Sequence, residues 1–104
     1  MNDPALSLLG FAAKAGKLSF GTHATQFALS SGKAKLVLVA FDISEKSIKE
    51  IKFKAEKVKV PVIILKNTDK TTLSGKLGKN CGIVAVNDSE FALAVLKKQE
   101  ETSL

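Results

Sequence analysis

Residues 20–41, FGTHATQFALSSGKAKLVLVAF, predict a turn, a helix, a second turn and a buried strand. Gly21 and Thr22 mark the start of the helix. Gly32 marks its end, because glycine tolerates the left-handed conformation found after many helices. The apolar run 36–41 has no polar face, which predicts a strand covered on both sides. A helix that begins at glycine has first-turn amides without partners, so its N-terminus is a candidate anion-binding site.

The chain before this stretch predicts one helix and one short strand. Asp3 is suited to cap the helix, and Pro4 fits its first turn. The helix ends at Gly16, and residues 17–20 form the strand. The apolar face of this helix has helical spacing and comprises Ala5, Leu8, Leu9 and Ala12.

The chain after this stretch predicts three more helices, each with candidate capping residues at its start. The candidates are Ser44 or Ser47 for the first, Thr68, Thr71 or Thr72 for the second, and Asn87 or Asp88 for the third. The apolar faces are again at helical spacing. They comprise Ala24, Phe27 and Ala28 in the helix of residues 22–31, Ile48, Ile51, Ala55 and Val58 in the next, and Phe91, Ala92, Val95 and Leu96 in the last.

Two further apolar runs, residues 62–65 and 83–86, predict strands without a polar face. Helices alternate with such strands along the chain, which predicts a sheet covered by helices on both sides. The predicted fold class is therefore α/β, a three-layer α/β/α sandwich with a central four-stranded mixed sheet. We expect a single α/β/α domain over residues 1–98 and a polar C-terminal tail over residues 99–104.

The chain of 104 residues carries a net charge of +6, and all of its basic residues are lysines. The excess is concentrated in residues 44–66, where seven lysines stand against three glutamates and the net charge is +4. A basic surface favours a polyanionic partner, although a lysine-rich helix face is also common as solvated surface. Without arginine, bidentate recognition of guanine by a guanidinium is excluded, so base specificity would come from amides, hydroxyls, His23 or shape.

Other features of the composition indicate a cytoplasmic protein. Cys81 is the only cysteine, which excludes an internal disulfide and a cysteine-based zinc site. No apolar run approaches the roughly 20 residues that span a bilayer, and no segment has the pattern of a signal peptide. We expect a monomer that does not associate with membranes.

No set of residues has the pattern of a catalytic, metal or cofactor site. Gly10 to Lys17 differs from a phosphate-binding loop, because five residues separate its glycines and Leu18 replaces the Ser/Thr. Asp42 lacks the acidic pair of a phospho-receiver domain and is interpreted as a turn residue whose carboxylate binds nearby amides. His23, the only histidine, is either an incidental surface residue or a ligand contact. We expect no enzyme activity and no cofactor.

Four motifs within residues 5–96 match a known pattern. They are Leu9-Gly10-x-Ala12-x-Lys14-Ala15-Gly16-Lys17-Leu18-x-x-Gly21, Ser31-Gly32-Lys33-Ala34-Lys35-Leu36-Val37-Leu38-Val39-Ala40-x-Asp42-x-Ser44, Val60-Pro61-Val62 and Leu77-Gly78-Lys79. These motifs resemble the kink-turn RNA-binding superfamily of ribosomal protein L7Ae, and most of all its small bacterial YlxQ branch. The resemblance implies an α/β/α sandwich that binds RNA.

The resemblance also implies where RNA binds. In the family, the N-terminus of the second helix enters a bent duplex at tandem sheared G·A pairs and carries the sequence Gly-x-Asn-Glu. Gly21 and Thr22 match the first two positions, whereas His23 stands at the asparagine and Ala24 at the glutamate. A family lysine falls at Phe27. The family loop that packs against extruded bases corresponds to Lys79, Asn80, Cys81 and Gly82.

The resemblance further implies phosphate contacts from Lys17, Lys33, Lys35 and Lys46 near the same rim. The expected RNA-binding residues are Lys17, Gly21, Thr22, His23, Gln26, Lys33, Lys35, Ser44, Lys46, Lys79, Asn80 and Cys81. We expect a non-enzymatic protein that binds kink-turn or similarly bent structured RNA, with ribosomal RNA and the ribosome as partners in translation. The alternative is a protein-interaction scaffold of the same fold that binds an acidic protein, and a phospho-receiver role comes third.

Overall fold

The computed structural model describes residues 3–103, in which helices and strands alternate as the sequence predicts. The helices are α1 (Leu6–Lys14), α2 (Thr22–Ser30), α3 (Glu45–Lys57), α4 (Lys70–Leu77) and α5 (Ser89–Ser103). The strands are β1 (Leu18–Phe20), β2 (Leu36–Ala40), β3 (Val62–Leu65) and β4 (Ile83–Val86). Helix α5 therefore continues through residues 99–103, within the segment that the sequence predicted as a polar tail.

The four strands form one mixed sheet in the order β1-β4-β2-β3. Strands β2 and β3 are parallel, with Val37 beside Val62, whereas β4 runs antiparallel to both of its neighbours, β1 and β2. The last strand in sequence is therefore inserted between the first two. This arrangement confirms the predicted four-stranded mixed sheet.

Two clusters of buried side chains pack against opposite faces of the sheet. One cluster joins α1, α4 and α5 to the sheet through Leu9, Leu73 and Val95, which are fully buried. The other joins α2 and α3 to the opposite face through Ala28 and Ile51. Every residue of β2 and β4 is buried between the two clusters, which confirms the three-layer α/β/α sandwich.

Strand β3 is less buried than its sequence predicts. Val62, Ile63 and Ile64 are half-buried, and Leu65 alone in this strand is buried. The reason is its position, since β3 pairs only with β2 and forms an edge of the sheet. Ile63 packs against one cluster and Val62 and Ile64 against the other, so both faces of β3 are covered, but less completely than the sequence predicted.

Asp3 and Thr68 are bonded to each other and cap no helix, which corrects two of the predicted caps. The N-cap of α1 is Ala5, without a side-chain hydrogen bond. Asp3 is buried, and its Oδ2 accepts from the Thr68 hydroxyl at 2.8 Å and from the Asn67 amide at 2.9 Å. The cap of α4 is Asp69, one residue after Thr68.

Helix α2 buries a different face from the one that periodicity predicted. Thr25, Ala28 and Leu29 are buried, whereas Phe27, which was expected in the core, is 66% exposed. Two sets of positions in this segment have helical spacing and share Ala28. The predicted set adds Ala24 and Phe27, whereas the set that is buried adds Thr25 and Leu29. Phe27 therefore lies on the protein surface, and its predicted burial is wrong.

Candidate nucleic-acid interface

Helix α2 begins at a glycine in a conformation that other residues rarely adopt. Gly21 has φ 91° and ψ 171°, a region that is populated almost only by glycine. Its amide donates to the Ile83 carbonyl oxygen at 2.8 Å, and its own carbonyl accepts from the Thr25 amide at 3.0 Å. Gly21 offers no side chain to cap the helix, so the first-turn amides of α2 are available to an external acceptor.

The loop between β2 and α3 lies beside this helix start. The Asp42 carboxylate accepts a hydrogen bond from the Lys70 amide at 2.9 Å, which confirms Asp42 as a turn residue and fixes the loop to the start of α4. Ser44 caps α3, because its Oγ accepts from the Ser47 amide at 3.3 Å. Lys46 follows in the first turn of α3 and is exposed.

The loop between α4 and β4 is held in place mainly through its backbone. Ser74 Oγ donates to the Cys81 carbonyl oxygen at 2.9 Å and accepts from the Cys81 amide at 3.0 Å. The Gly82 carbonyl oxygen accepts from the Ala40 amide at 2.8 Å. A Cβ at Gly82 would overlap the end of the Ile43 side chain, which would have to move, so the loop before β4 and the loop after β2 are closely packed here.

These three segments line one polar groove with a volume of about 450 Å³, which we call the Gly21 groove. The groove brings together five of the expected site residues, namely Gly21, Thr22, Ser44, Asn80 and Cys81. The thiol of Cys81 is buried, and burial raises the pKa of the thiol. The groove therefore presents hydroxyls, amides and backbone groups together with the charged side chains of Asp42 and Lys70, and no thiolate.

Two other expected site residues, His23 and Gln26, line a second groove between α2 and the end of α3, with a volume of about 410 Å³. They share the outer face of α2 with Phe27, because helix positions three and four apart are neighbours. The opposite wall of this α2–α3 groove includes Lys54, Lys57 and Val58 from α3 and its C-terminal end. His23 and Gln26 thus stand next to the Gly21 groove along the helix but outside its lining.

Lys79 lies on the other side of the loop before β4. Its Nζ is 5.8 Å from the centre of the Phe20 ring, within the range of a cation–π contact. Both residues line a third groove, between α1 and α4, together with Phe11 and Lys14. Lys79 is therefore adjacent to the edge strand β1, and it does not line the Gly21 groove.

Three lysines that were expected at the same rim as Gly21 lie at the opposite end of the sheet. The Lys35 amide donates to the carbonyl oxygen of Val86, the last residue of β4, and the Lys17 carbonyl oxygen accepts from the amide of the next residue, Asn87. The Gly21 amide donates instead to the first residue of β4. The four residues of β4 separate these points by about 10 Å, at about 3.3 Å per residue. Lys33 belongs to the same turn as Lys35. The predicted common rim is wrong for these three lysines, whereas Lys46 stands in sequence between Ser44 and Ser47, which both line the Gly21 groove.

The described residues offer no arrangement typical of catalysis at this edge. Within residues 3–103, no group of three or more His, Cys, Asp and Glu side chains could hold a metal ion. His23 lies in the α2–α3 groove, and the Asp42 carboxylate is occupied by the Lys70 amide. In the same residues, no helix is both long and apolar enough to cross a membrane. The geometry suits binding of a polar, negatively charged ligand.

Comparison with known sequences identifies the family. Residues 4–95 match the ribosomal protein L7Ae/L30e/S12e/Gadd45 family. The chain belongs to this family. A curated L7Ae-type relative, the RNA-binding protein YlxQ of Enterococcus faecium, is 38% identical over 89 residues, which cover 85% of this chain and 84% of the relative. These matches confirm the resemblance to the YlxQ branch of the L7Ae family.

Solved structures similar to this L7Ae family member support the same fold. A protein of unknown function from Bacillus halodurans C superposes with a TM-score of 0.86 and 26% identity, over 94% of this chain and 98% of that chain. A 15.5kD RNA binding protein from Giardia lamblia superposes with a TM-score of 0.76 and 17% identity, over 94% of this chain and 83% of that chain. The second likeness concerns the fold alone.

The groove between α2 and α3 contains residues that the sequence did not predict as part of an L7Ae-type site. Phe27 was assigned to the core, and Lys54 and Lys57 were counted only within a basic segment. The positions of His23, Gln26 and Phe27 at helical spacing were a usable signal, because they predict one shared face. Choosing between the two possible buried faces of α2 required the packing of the helix on the sheet.

Proposed function

We propose that this protein binds structured RNA and catalyses no reaction. The observation that carries the proposal is the Gly21 groove, where the open amides of α2 meet two loops that present hydroxyl and amide groups. The name of the E. faecium relative, RNA-binding protein YlxQ, supports RNA as the ligand. The net charge of +6 suits a polyanionic partner.

Each part of the Gly21 groove has a chemical role in this proposal. The first-turn amides of α2 donate to a phosphate, which the positive end of the helix dipole also attracts. Ser44 and Asn80 are exposed and offer a hydroxyl and a side-chain amide to the RNA backbone or to base edges. Lys46 supplies a positive charge at the rim, where it neutralises a phosphate.

The preferred RNA in this proposal is a kink-turn or a similarly bent duplex in ribosomal RNA, bound by a cytoplasmic monomer during translation. The resemblance of the Gly21 motif to the family supports the bent duplex. Ala24 stands where family members carry a glutamate, and it cannot accept a hydrogen bond from guanine. The loss of one such base contact lowers discrimination by about 1–3 kcal/mol. We therefore expect weaker selection for tandem G·A pairs than a glutamate would give.

An electrophoretic titration tests separately whether the protein binds RNA and whether it recognises a bent duplex. The full chain is titrated with a kink-turn RNA and with a fully paired duplex of the same length, at the same moderate salt concentration. We expect the kink-turn RNA to be shifted at a lower protein concentration. Equal affinity for both would contradict recognition of the bend, and no shift with either would contradict RNA binding.

An acidic protein partner is the alternative that the surface of α3 supports. The exposed lysines of this helix are Lys46, Lys49, Lys52, Lys54 and Lys57. Backbone amide shifts distinguish the two ligands, because the RNA proposal requires shifts at Gly21 and Thr22 on addition of kink-turn RNA. Shifts confined to the middle and end of α3 would favour the acidic protein.

A further inference from the structure

We propose that the α2–α3 groove binds an unpaired nucleotide of the RNA, with its base stacked on Phe27 and its phosphate held by Lys54 and Lys57. This inference rests on the proposed RNA binding and extends the contact surface beyond the Gly21 groove. The class of ligand is single-stranded RNA that flanks the structured element.

Phe27 is the first observation behind this inference. Its side chain is 66% exposed because α2 packs on the sheet through Thr25, Ala28 and Leu29. An exposed aromatic ring on a rigid helix offers a flat platform on which any base can stack, and such stacking is a common source of affinity for single strands. Phe27 also lines the groove, so that a base on this ring would be enclosed on a second side by α3.

The position of Phe27 relative to Gly21 supplies the second observation. His23 lies one helical turn before Phe27, and Gln26 lies beside it on the same face. An RNA strand that leaves the start of α2 and follows this face therefore passes an imidazole and a side-chain amide before it reaches the ring. Both groups can form hydrogen bonds with base edges. One RNA strand could therefore contact the Gly21 groove and the α2–α3 groove in succession.

The charge of the groove is the third observation. Lys54 and Lys57 are exposed on the α3 wall, and none of the eight lining residues is acidic. The Nζ of Lys57 lies 4.5 Å from the centre of the Phe53 ring, a cation–π contact that restrains this ammonium group. Aromatic platforms combined with a positively charged wall are the usual arrangement for binding single-stranded nucleic acid.

The size and lining of the groove favour a nucleotide over a protein segment. Its volume of about 410 Å³ is within the range of pockets that enclose small ligands, roughly 300–1,000 Å³. A helical peptide would require a row of apolar anchors across several turns. Phe27 and Val58 are the exposed large apolar side chains among the lining residues, which is too few for such a row.

The first test compares a kink-turn RNA with the same RNA extended by five unpaired uridines on each strand, by fluorescence anisotropy with the full chain. We expect the extension to tighten binding roughly fivefold or more, which is the low end of the effect of stacking one base on an aromatic side chain. Phe27→Ala should abolish this gain. Phe11→Ala is the matched control, because Phe11 is 64% exposed on α1, on the other side of the sheet, and lies outside the lining of the α2–α3 groove. A gain that survives Phe27→Ala, or that both variants abolish, overturns the inference.

The second test does not depend on the bent duplex. Hexauridine is added to the isotopically labelled full chain, and we expect amide shifts at His23, Phe27 and Lys54, with none at the exposed Leu93 on α5. Unchanged spectra overturn the inference, as do groove shifts caused by polyglutamate and not by hexauridine. Hexauridine could shift the amide resonances of the α2–α3 groove while kink-turn RNA fails to bind. In that case the proposal for the Gly21 groove fails, and the proposal for the α2–α3 groove stands.

Discussion

Gly21 and Ile83 are joined by a backbone hydrogen bond of 2.8 Å, which fixes the residue before α2 to the first residue of β4. The bond holds Gly21 at φ 91°, where the helix starts without a side-chain cap. The direction of the open α2 amides is therefore set by a contact between segments that are far apart in sequence. This relationship leads to the first prediction.

Gly21→Ala should weaken RNA binding more than its loss of stability explains. A Cβ at Gly21 or at Gly32 would meet no atom within 4 Å, so both alanine variants act through backbone strain alone. Strain of this kind costs about 1–3 kcal/mol, and we expect both variants to have a lower Tm. Gly32 has φ 79° at the other end of α2, so Gly32→Ala is the control and should keep its RNA affinity. Equal losses of affinity at a temperature where both are folded would contradict the role of Gly21.

Lys46→Gln should reduce the salt dependence of RNA binding. Each neutralised phosphate contributes about one unit to the slope of log K against log salt concentration, and we expect the slope to fall by about that amount. Lys33→Gln, at the opposite end of the sheet, should leave the slope unchanged. The measurement is a titration at several salt concentrations. A larger change of slope for Lys33→Gln than for Lys46→Gln would indicate that RNA binds at the end of the sheet opposite Gly21.

Ala24→Glu should increase the preference for kink-turn RNA over a paired duplex by about 1–3 kcal/mol, the typical discrimination from one good base contact. Ala24 is half-buried in the first turn of α2, where a carboxylate is also favoured by the helix dipole. Ala24→Gln is the matched control with a similar shape and no charge. The readout is the ratio of the two Kd values, and a uniform weakening with both RNAs would show that the new charge only repels phosphate.

Thr25→Val should stabilise the protein by about 1 kcal/mol or more, because an unpaired buried hydroxyl costs about 1–3 kcal/mol. Thr25 is fully buried, and its Oγ1 has no hydrogen-bond partner among the described residues. Thr68→Val is the control, since Thr68 is equally buried but donates to Asp3 at 2.8 Å. Urea denaturation should show opposite signs for the two variants, and a destabilised Thr25→Val would indicate that the hydroxyl is bonded in solution.

Asp69→Asn should remove one component of the acid sensitivity of the protein. The hydrogen bond from the Thr72 amide lowers the pKa of the Asp69 carboxyl below its ordinary value of 3.8. The lowered pKa stabilises the fold fully above pH 3.8, and this contribution is lost as the pH falls through the pKa of the folded state. Asparagine caps helices about as well as aspartate and does not titrate. The two proteins should therefore have similar stability at pH 7 and diverge in acid, where the wild type alone loses this contribution. A difference that stays constant from pH 7 downwards would contradict this expectation.

The layers of the fold could be predicted from sequence because the signals are local. The run Leu36–Ala40 has no polar face, and Gly32 and Ser44 mark where the neighbouring helices end and begin. The cap of α1 could not be predicted in this way. Asp3 finds its partners in Asn67 and Thr68, and no local pattern indicates a hydrogen bond between such distant segments.

The candidate site was predicted only in part, for related reasons. Gly21 and Ser44 follow local rules for helix starts, and the structure brings them to one groove. Lys17 and Lys35 lie at the end of the sheet opposite Gly21 because β4 runs antiparallel between β1 and β2. Strand order of this kind is a property of the whole chain. The surface position of Phe27 likewise depends on which face of α2 meets the sheet.

The insertion of β4 between β1 and β2 has a consequence for the timing of assembly. During synthesis, neither Gly21 nor Ala40 can form its hydrogen bond until Ile83 and Gly82 have left the ribosome. Pairings between such distant segments form late in folding, because a long loop must first be closed. A nascent chain that stops before β4 lacks the assembled Gly21 groove, so the RNA binding that we propose for this groove would be acquired only after β4 has joined the sheet.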